Sequence, residues 1–333
     1  MHFDQQMPLR LLRLWAIASA LSIACRPRSH AAPTREKSGE ADATGPIELV
    51  LERALPIDVR DDFQPSGLAL REGALLTVSD KHDAAVYEIV LGSTTAAVRP
   101  FVAFTAPALE PGPLDFEGIA IDAQGALLLA SESHFRVLRV TIDGGGPKAA
   151  PSNSKGSSAW ITPSLEALGH DAGLFQKWNA NLEGIARLAD GRWLLAAERD
   201  PRGLIELGPD GDTTHAAAWS LPTSIYPMPP GRAPDFSDLT VSDGNVYALE
   251  RNSHLIVRLE RHERGWQERE AWSYLRTETD PRFAYQNAVY GVGEGLSIDR
   301  NHVFVVTDNN RLARAQDPSD RRPVLFMFAR PAR

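Results

Sequence analysis

Short apolar stretches alternate with polar residues along this chain, and five of them repeat one pattern. In each repeat an apolar strand is followed by a tight turn and by a second apolar strand that ends in a carboxylate. The repeats begin at Ser66, Glu117, Glu183, Ser237 and Glu294. Short strands repeated at such spacing are typical of propeller blades, which surround a central channel.

Additional strands extend this hairpin into a blade. A third strand follows the hairpin in each of the first four repeats, and a weaker fourth strand follows in three of them. The last repeat lacks a fourth strand, whereas residues 47–51 form an apolar run without a partner. We therefore predict an all-β β-propeller with five detected blades, in which an N-terminal strand completes the C-terminal blade and closes the ring. A β-sandwich explains the pattern less well, because it gives no reason for every hairpin to end in an acid.

Residues 144–179 interrupt the repeat. They contain a Gly/Ser-rich segment and a short helix predicted around residues 163–168. We interpret them as an insertion, with a sixth blade as the alternative.

The N-terminus has the pattern of an export signal. Arg10 and Arg13 precede an apolar run over residues 14–24, which is too short to span a bilayer. The only cysteine, Cys25, follows this run, and its position fits either a lipoprotein signal or plain secretion. We expect a signal peptide at 1–25, a flexible tether at 26–44 and a single propeller domain at 45–333. The protein would then be periplasmic or an outer-membrane lipoprotein, held to a membrane only through a lipid on Cys25.

The composition and charge of the chain limit the kinds of binding partner to be expected. Hydrophobic residues make up 43% of the chain, which is enough for a sizeable core. The net charge is −8 and the Lys and Arg residues are scattered, so a nucleic-acid partner is not expected. We expect a monomer that acts on a small anionic substrate or ligand.

Acidic residues mark both ends of the repeated hairpin. Three first strands begin with Glu117, Glu183 and Glu294, and the five second strands end with Asp80, Glu132, Glu198, Glu250 and Asp308. Antiparallel pairing places the start of one strand beside the end of the next, so these eight carboxylates should meet at one mouth of the channel. Carboxylates held together repel each other unless they are protonated, paired or bound to a cation, and Ca²⁺ prefers six to eight oxygen ligands. We predict calcium binding by the eight. The alternative is a ring of salt bridges with the cations that follow them: Lys81, Arg199, Arg251 and Arg311.

Cationic and amide side chains lie next to these strand ends. We predict that they bind an anionic substrate, while no catalytic residue is predicted. The candidate substrate-binding residues are Lys81, His82, His134, Arg199, Arg251, Asn309 and Asn310.

The phrases DFEGIAID, NLEGIARLADGRWLLAAE and GEGLSIDRNHVFVVTDNN resemble a bacterial family described as esterase-like activity of phytase, and more distantly the SdiA-regulated propeller family. The resemblance covers residues 60–328 in short motifs. It implies an exported propeller that hydrolyses phosphate or carboxylic esters, with Glu117, Glu183, Glu294 and Asp308 to Asn310 at the family's EG and DNN positions. Ser66 and Ser237 replace the acid of the EG motif in two repeats. Two other functions stay open: a non-catalytic binding propeller, and a metal-dependent lactonase-type propeller in which Asn252 or Asn309 would join a Glu as ligand.

Overall fold

Strand pairing groups twenty strands into five antiparallel units of four. The computed structural model describes residues 45–59, 62–109, 111–142 and 154–332. The first unit contains β3 (Pro65–Arg71), β4 (Ala74–Ser79), β5 (Ala85–Leu91) and β6 (Ala96–Ala103), and the second contains β7 (Phe116–Ile121), β8 (Leu127–Ser131), β9 (Arg136–Ile142) and β10 (Ser154–Trp160). The third unit contains β11 (Leu182–Arg187), β12 (Trp193–Ala197), β13 (Gly203–Leu207) and β14 (Ala217–Ser220), and the fourth contains β15 (Asp238–Ser242), β16 (Asn245–Glu250), β17 (Leu255–His262) and β18 (Gly265–Ser273). The fifth unit contains β19 (Gly293–Ile298), β20 (His302–Thr307), β21 (Val324–Ala329) and β2 (Val50–Asp58). The remaining elements are β1 (Ile47–Glu48), α1 (Glu166–Asp171), α2 (Leu275–Glu278) and the short 3₁₀ turns Pro209–Gly211 and Arg251–Ser253.

The first strands of the units form a closed ring. Each one contacts the first strands of the two neighbouring units, and the fifth unit contacts the first. The chain is therefore a β-propeller, as predicted.

Glycine permits this close approach at the channel. A Cβ atom on Gly118 would lie 2.3 Å from the backbone oxygen of Glu183, and one on Gly184 would lie 2.4 Å from the amide nitrogen of Leu239. Distances below 3 Å are not tolerated between a side chain and a backbone, so the glycine of each EG motif is needed for packing between units.

Apolar side chains fill the spaces between neighbouring units. Five clusters of buried residues occur, and each joins two adjacent units, as where Leu194 of the third unit packs with Val257 of the fourth. Burial of each large aliphatic side chain stabilises the fold by about 1.5–3 kcal/mol. This packing supports the ring without a disulfide among the described residues.

The N-terminal segment closes the ring, as expected, but the closing strand lies further along the chain. β2 (Val50–Asp58) pairs antiparallel with β21 in the fifth unit. Ile47–Glu48, expected within the closing strand, pairs instead in parallel with Trp272 and Ser273 of the fourth unit. Asp58 at the end of β2 also pairs in parallel with Ala97 of the first unit, so the segment from Ile47 to Asp58 contacts three units.

Part of the segment predicted as an insertion, 144–179, belongs to the second unit. β10 (Ser154–Trp160) lies within it and is the fourth strand of the second unit, paired with β9. The sequence Ser-Lys-Gly-Ser-Ser-Ala-Trp lacks an apolar period, so it gave no strand signal. The predicted signal peptide and tether, with Cys25, lie outside the described residues. Within the described part of the chain, no helix is long and apolar enough to cross a membrane.

Candidate functional site

Irregular strand pairing turns acidic side chains toward one end of the channel. The first strands of four units show a shift in register near their start, and the skipped positions include Glu117, Glu183 and Glu294. A bulge takes a residue out of the ladder and re-aims its side chain. β15 of the fourth unit pairs without a shift.

These side chains line a cavity of about 200 Å³, here called the mouth cavity. Seven carboxylates and two guanidinium groups contribute to its wall, namely Asp80, Glu117, Glu132, Glu183, Glu198, Glu294 and Asp308 with Arg199 and Arg251. Ser66, Asn179, Tyr290, Gly291 and Asn310 complete the lining. Seven of the eight acids selected from the sequence thus share one cavity.

Two groups of three carboxylates lie close enough to share a cation. In each group, one oxygen from every residue lies within 4.8 Å of the others. One group is Asp80, Asp115 and Glu117, and the other is Glu132, Glu183 and Glu198. Glu132, Glu183 and Glu198 are buried, so water does little to screen their mutual repulsion.

Two arginines, Arg199 and Arg251, neutralise part of the negative charge of the mouth cavity. The guanidinium of Arg251 lies 2.7 Å from Asp235 Oδ2 and 2.5 Å from Glu294 Oε1, and it also pairs with Glu198. Arg199 pairs with Glu198 as well. Arg251 therefore joins acids of the third and fifth units.

The salt-bridge alternative accounts for only some of the acids. Lys81 pairs with Asp80, whereas Arg311 pairs with Asp62 at 2.9 Å and lies apart from the mouth lining. Among the described residues, no ion pair involves Glu117, Glu132 or Glu183. These three acids therefore have no cationic partner at salt-bridge distance in the described part of the chain.

Burial and repulsion favour protonation of the unpaired acids. The pKa of Glu117 lies well above its usual value, first because of burial and then because of repulsion by Asp80 and Asp115. Burial and the neighbouring Glu117 likewise raise the pKa of Glu183 well above its usual value. Both acids therefore bind a proton more tightly than a solvent-exposed glutamate does, and a bound cation would compete with that proton.

Two further carboxyls have pKa values near neutrality. Burial raises the pKa of Glu132 to about 7, against a hydrogen bond that Oε1 accepts from the Asn181 amide at 3.0 Å. Burial also raises the pKa of Glu294 to about 7, and the charge of Arg251 opposes this rise.

Asp115 forms a carboxyl pair with Glu132. The two side chains are hydrogen-bonded, so one of them carries the shared proton. Asp115 lies one residue before β7 with a φ of 53°, and both its amide and that of Leu114 donate to the Asp83 carboxylate, at 3.2 and 2.8 Å. The sequence prediction missed Asp115 because it precedes the repeated strand.

Asp308 and Asn310 stay at the mouth but differ in role. Gln64 Nε2 donates to both carboxylate oxygens of Asp308, at 3.1 and 2.9 Å, and the Asn310 amide donates to Oδ1 at 3.0 Å. The hydrogen-bonding capacity of Asp308 is therefore largely used within the protein. Asn310 also lines the mouth cavity.

Glu250 and Asn309, both selected from the sequence, lie outside the lining of the mouth cavity, which corrects their predicted placement. Glu250 is not in the mouth lining: its Oε1 accepts from the Asp235 amide at 3.1 Å, its Oε2 accepts from Ser253, and burial raises its pKa to about 9. Asn309 is buried and donates its side-chain amide to the carbonyls of Leu312 and Arg321.

The two histidines selected from the sequence also lie outside the mouth lining. His82 stacks on Phe63, with ring centroids 5.7 Å apart, and lines a different cavity. His134 stacks on Trp160, and its Nδ1 forms a hydrogen bond with Ser133 Oγ at 2.8 Å. Both follow a second strand, but their rings turn toward aromatic neighbours, which strand spacing does not reveal.

Comparison with known proteins identifies a family. The family model for phytase-like proteins, described as esterase-like activity of phytase, matches residues 64–311. None of the curated proteins matches the chain.

Solved structures give weaker likenesses. Glutaminyl cyclase from Myxococcus xanthus has 12% identity and a TM-score of 0.48, covering 86% of this chain and all of its own. The PQQ-bound aldose sugar dehydrogenase from Streptomyces coelicolor has 13% identity and a TM-score of 0.46, covering 85% and 98%. Virginiamycin B lyase from Staphylococcus aureus has 12% identity and a TM-score of 0.39, covering 83% and 98%. At these identities and TM-scores, the solved structures are compared with the chain for their fold alone.

The family model matches about three-quarters of the sequence. The chain therefore belongs to the phytase-like family, described as esterase-like activity of phytase.

Proposed function

We propose that the mouth cavity binds Ca²⁺ and hydrolyses an anionic phosphate or carboxylic ester. The observation that carries this proposal is the pair of carboxylate triads, whose oxygens lie within 4.8 Å of one another and include acids without a cationic partner among the described residues. Membership of the phytase-like family agrees with hydrolysis of an ester.

The residues of the mouth fit a hard cation. Every ligand atom in the two triads is a carboxylate oxygen, which suits Ca²⁺ and does not suit a thiolate- or imidazole-binding metal. Oδ1 of Asp80 is buried and has no hydrogen-bond partner among the described residues. Asp80, Asp115 and Glu117 would hold one cation, and Glu132, Glu183 and Glu198 a second. When bound, such a cation would neutralise the carboxylates and polarise an ester oxygen.

The chain's own side chains supply substrate binding and hold the acids of the mouth in position. Arg199 lies at the mouth with its guanidinium 5.9 Å from the Tyr290 ring, where it can contact an anionic group of the substrate. Arg251 is held by three carboxylates, so it positions Glu198 and Glu294. In the metal-free protein the pair of Glu132 and Asp115 holds a proton near pH 7, because the pKa of Glu132 is about 7, and a cation bound by these carboxylates would displace that proton.

Turnover with and without metal tests this function. Purified mature protein is assayed on 4-nitrophenyl phosphate, 4-nitrophenyl acetate and phytate, in Ca²⁺ and in EGTA. We expect turnover that requires Ca²⁺ and falls by about 100-fold or more in Glu117→Gln and Glu183→Gln, the scale of an acid–base or electrostatic contribution. Glu166→Gln, on the exposed surface of α1, is the matched control. Turnover that is unchanged by EGTA and by both variants would refute the proposal.

A non-catalytic binding propeller is the second candidate. The Arg251 network favours it, because one guanidinium already links acids around the mouth. It predicts that Ca²⁺ raises the melting temperature and EGTA lowers it, with no turnover of any ester. The lactonase-type arrangement loses support, since neither Asn252 nor Asn309 lines the mouth cavity. Export, monomeric state and lipidation at Cys25 remain proposals drawn from the sequence.

A further inference from the structure

The central channel contains a second cavity of about 260 Å³, which we call the channel cavity. Residues from the first strands of all five units line it, and none of these residues lines the mouth cavity. The mouth acids Glu117, Glu183 and Glu294 begin their repeats, whereas the lining residues of the channel cavity follow two to four positions later. The channel cavity therefore lies toward the end of the ring opposite the mouth. Its half-buried lining residues open it to solvent at this end, and they are Leu70, Ile121, Arg187, Thr240 and Val241.

Free strand edges face the channel. Each first strand pairs with a single neighbouring strand and so ends its sheet. The other edge of such a strand presents backbone N–H and C=O groups that no strand uses. The amides of Leu68 and Leu296 donate to Oδ2 of Asp238, at 3.0 and 2.7 Å. Asp238 belongs to the fourth unit and can reach Leu68 of the first unit only across the channel, so these free edges point inward.

One charged side chain lines the channel cavity. At the fifth position of the repeat, Arg187 of the third unit stands where the other four units have Leu70, Ile121, Val241 and Ile298. Arg187 forms no hydrogen bond or ion pair within the described part of the chain. Its Nε is shielded from solvent, whereas its terminal nitrogens are not. One of them lies 3.6 Å from the position that a Cβ atom on Gly191 would take, so the guanidinium lies beside the turn of its own hairpin, at the open end of the cavity.

The acids at this end of the ring do not neutralise Arg187. Each of the five hairpin turns carries one acid, and none of the five lines the channel cavity. Glu72 is exposed, and the other four lie within 3.3 Å of a different arginine or histidine nitrogen. These four are Asp122, Asp190, Asp243 and Asp299. Arg187 therefore has no carboxylate partner at salt-bridge distance among the described residues.

Two hydroxyl groups add donors to the same cavity. Thr240 and Ser297 line it, and neither side-chain oxygen has a hydrogen-bond partner among the residues that the structure describes. Ser297 is only 2% exposed, yet its Oγ is not shielded, so the accessible part of the residue faces the cavity that it lines. Arg187, Thr240 and Ser297 belong to three consecutive units of the ring. A guanidinium and two hydroxyls without an acidic neighbour in the lining favour an anion that has several acceptor oxygens.

We propose that the channel cavity binds a small oxyanion of the size of phosphate, held by Arg187, Thr240 and Ser297. The guanidinium donates to two oxygens of the ion and each hydroxyl donates to one. A volume of about 260 Å³ is below the roughly 300–1,000 Å³ that is typical of sites for drug-sized ligands, so the ion is small. The site is separate from the mouth cavity and goes beyond the proposed function.

Calorimetric titration of inorganic phosphate in EGTA tests this proposal. Without Ca²⁺ the acids of the mouth repel phosphate, so binding there does not contribute. We expect one phosphate per wild-type chain, with affinity reduced about 10-fold or more in Arg187→Leu, the worth of a hydrogen bond to a charged group. Leucine occupies the equivalent position in the first repeat, so this variant should fold. Arg300→Leu is the matched control and should bind like the wild type, because Arg300 is exposed in a hairpin turn at the same end.

Thr240→Val is a second variant, which removes one donor with little change of shape and leaves Arg187 in place. It should also reduce the affinity for phosphate by about 10-fold. An unchanged affinity in either variant, an equal loss in Arg300→Leu, or absence of binding to the wild type would overturn the proposal. Chloride that binds as tightly as phosphate would indicate an adventitious ion only and would overturn it as well. Any ester turnover should be the same in Arg187→Leu as in the wild type, so failure of the proposed function leaves this test intact.

Discussion

Glu132→Gln should flatten the pH dependence of folding stability in calcium-free solution. Glu132 is 4% exposed, and burial raises its pKa from 4.5 to about 7 in a pair with Asp115. Such a rise corresponds to on the order of 3 kcal/mol for the pair. Because the pKa is higher in the folded state, the folded state binds the proton more tightly. Stability is therefore fully present below pH 4.5 and is lost as pH rises through about 7.

Urea unfolding between pH 4.5 and 8 in EGTA measures this effect. The wild type should lose stability across the range, since the carboxyls of Glu117, Glu183 and Glu294 also have raised pKa values. The Gln variant should lose on the order of 3 kcal/mol less, because its oxygen can still accept from the Asn181 amide. Saturating Ca²⁺ should restore the wild type at pH 8 by mass action.

Glu166→Gln should leave the wild-type pH profile unchanged, since Glu166 is exposed. A wild-type stability in EGTA that is constant or rises from pH 4.5 to 8 would contradict the reasoning. An identical slope in wild type and Glu132→Gln would show that Glu132 carries no such penalty.

Three more predictions follow from single positions. Gly118→Ala should destabilise the fold by about 1–3 kcal/mol in thermal unfolding, because its Cβ would lie 2.3 Å from the Glu183 carbonyl, whereas Gly45→Ala, with nothing within 4 Å, should not; equal melting temperatures would refute the packing role. Arg251→Met should cost about 3–5 kcal/mol in urea unfolding, since it leaves the buried carboxylates of Asp235 and Glu294 without their cationic partner and leaves Glu198 with Arg199 alone, and Ca²⁺ should recover part of the loss; a neutral change would refute the network. Cys25→Ala should move the protein from the membrane fraction to the soluble fraction if the signal is of lipoprotein type, as immunoblotting of fractions would show; a membrane fraction that is unchanged would refute lipidation.

The sequence was sufficient to predict the ring of inner strands and most of the acids that line the mouth cavity. Alternating apolar runs and the repeated EG start identify the inner strands, and antiparallel pairing brings Glu117, Glu183 and Glu294 together. β10 escaped detection because its small polar residues do not alternate with apolar ones, although its backbone pairs with β9.

The repeat pattern could not identify site residues that lie in the connections between strands. Asp235 lies in the long connection before β15 and reaches Arg251 only through the fold. Glu250 occupies the repeated position, yet its side chain turns to Ser253 and the Asp235 amide. The position of a strand end thus predicts where the backbone of an acid lies, whereas its hydrogen-bond partners decide where the carboxylate points.

The fourth unit shows why the EG motif changes there. Asp238 takes the place of its glycine, and Oδ2 accepts from the amides of Leu68 and Leu296 at 3.0 and 2.7 Å. Its Oδ1 accepts from the Leu239 amide at 2.8 Å. Leu68 and Leu296 belong to the first and fifth units, so this one buried carboxylate connects three inner strands inside the channel. The three backbone amides stabilise the Asp238 carboxylate, but burial is the larger effect and raises its pKa well above the usual value. Asp238 is absent from the lining of the mouth cavity, so its acid holds inner strands together, whereas the acids of the EG motifs face the cavity.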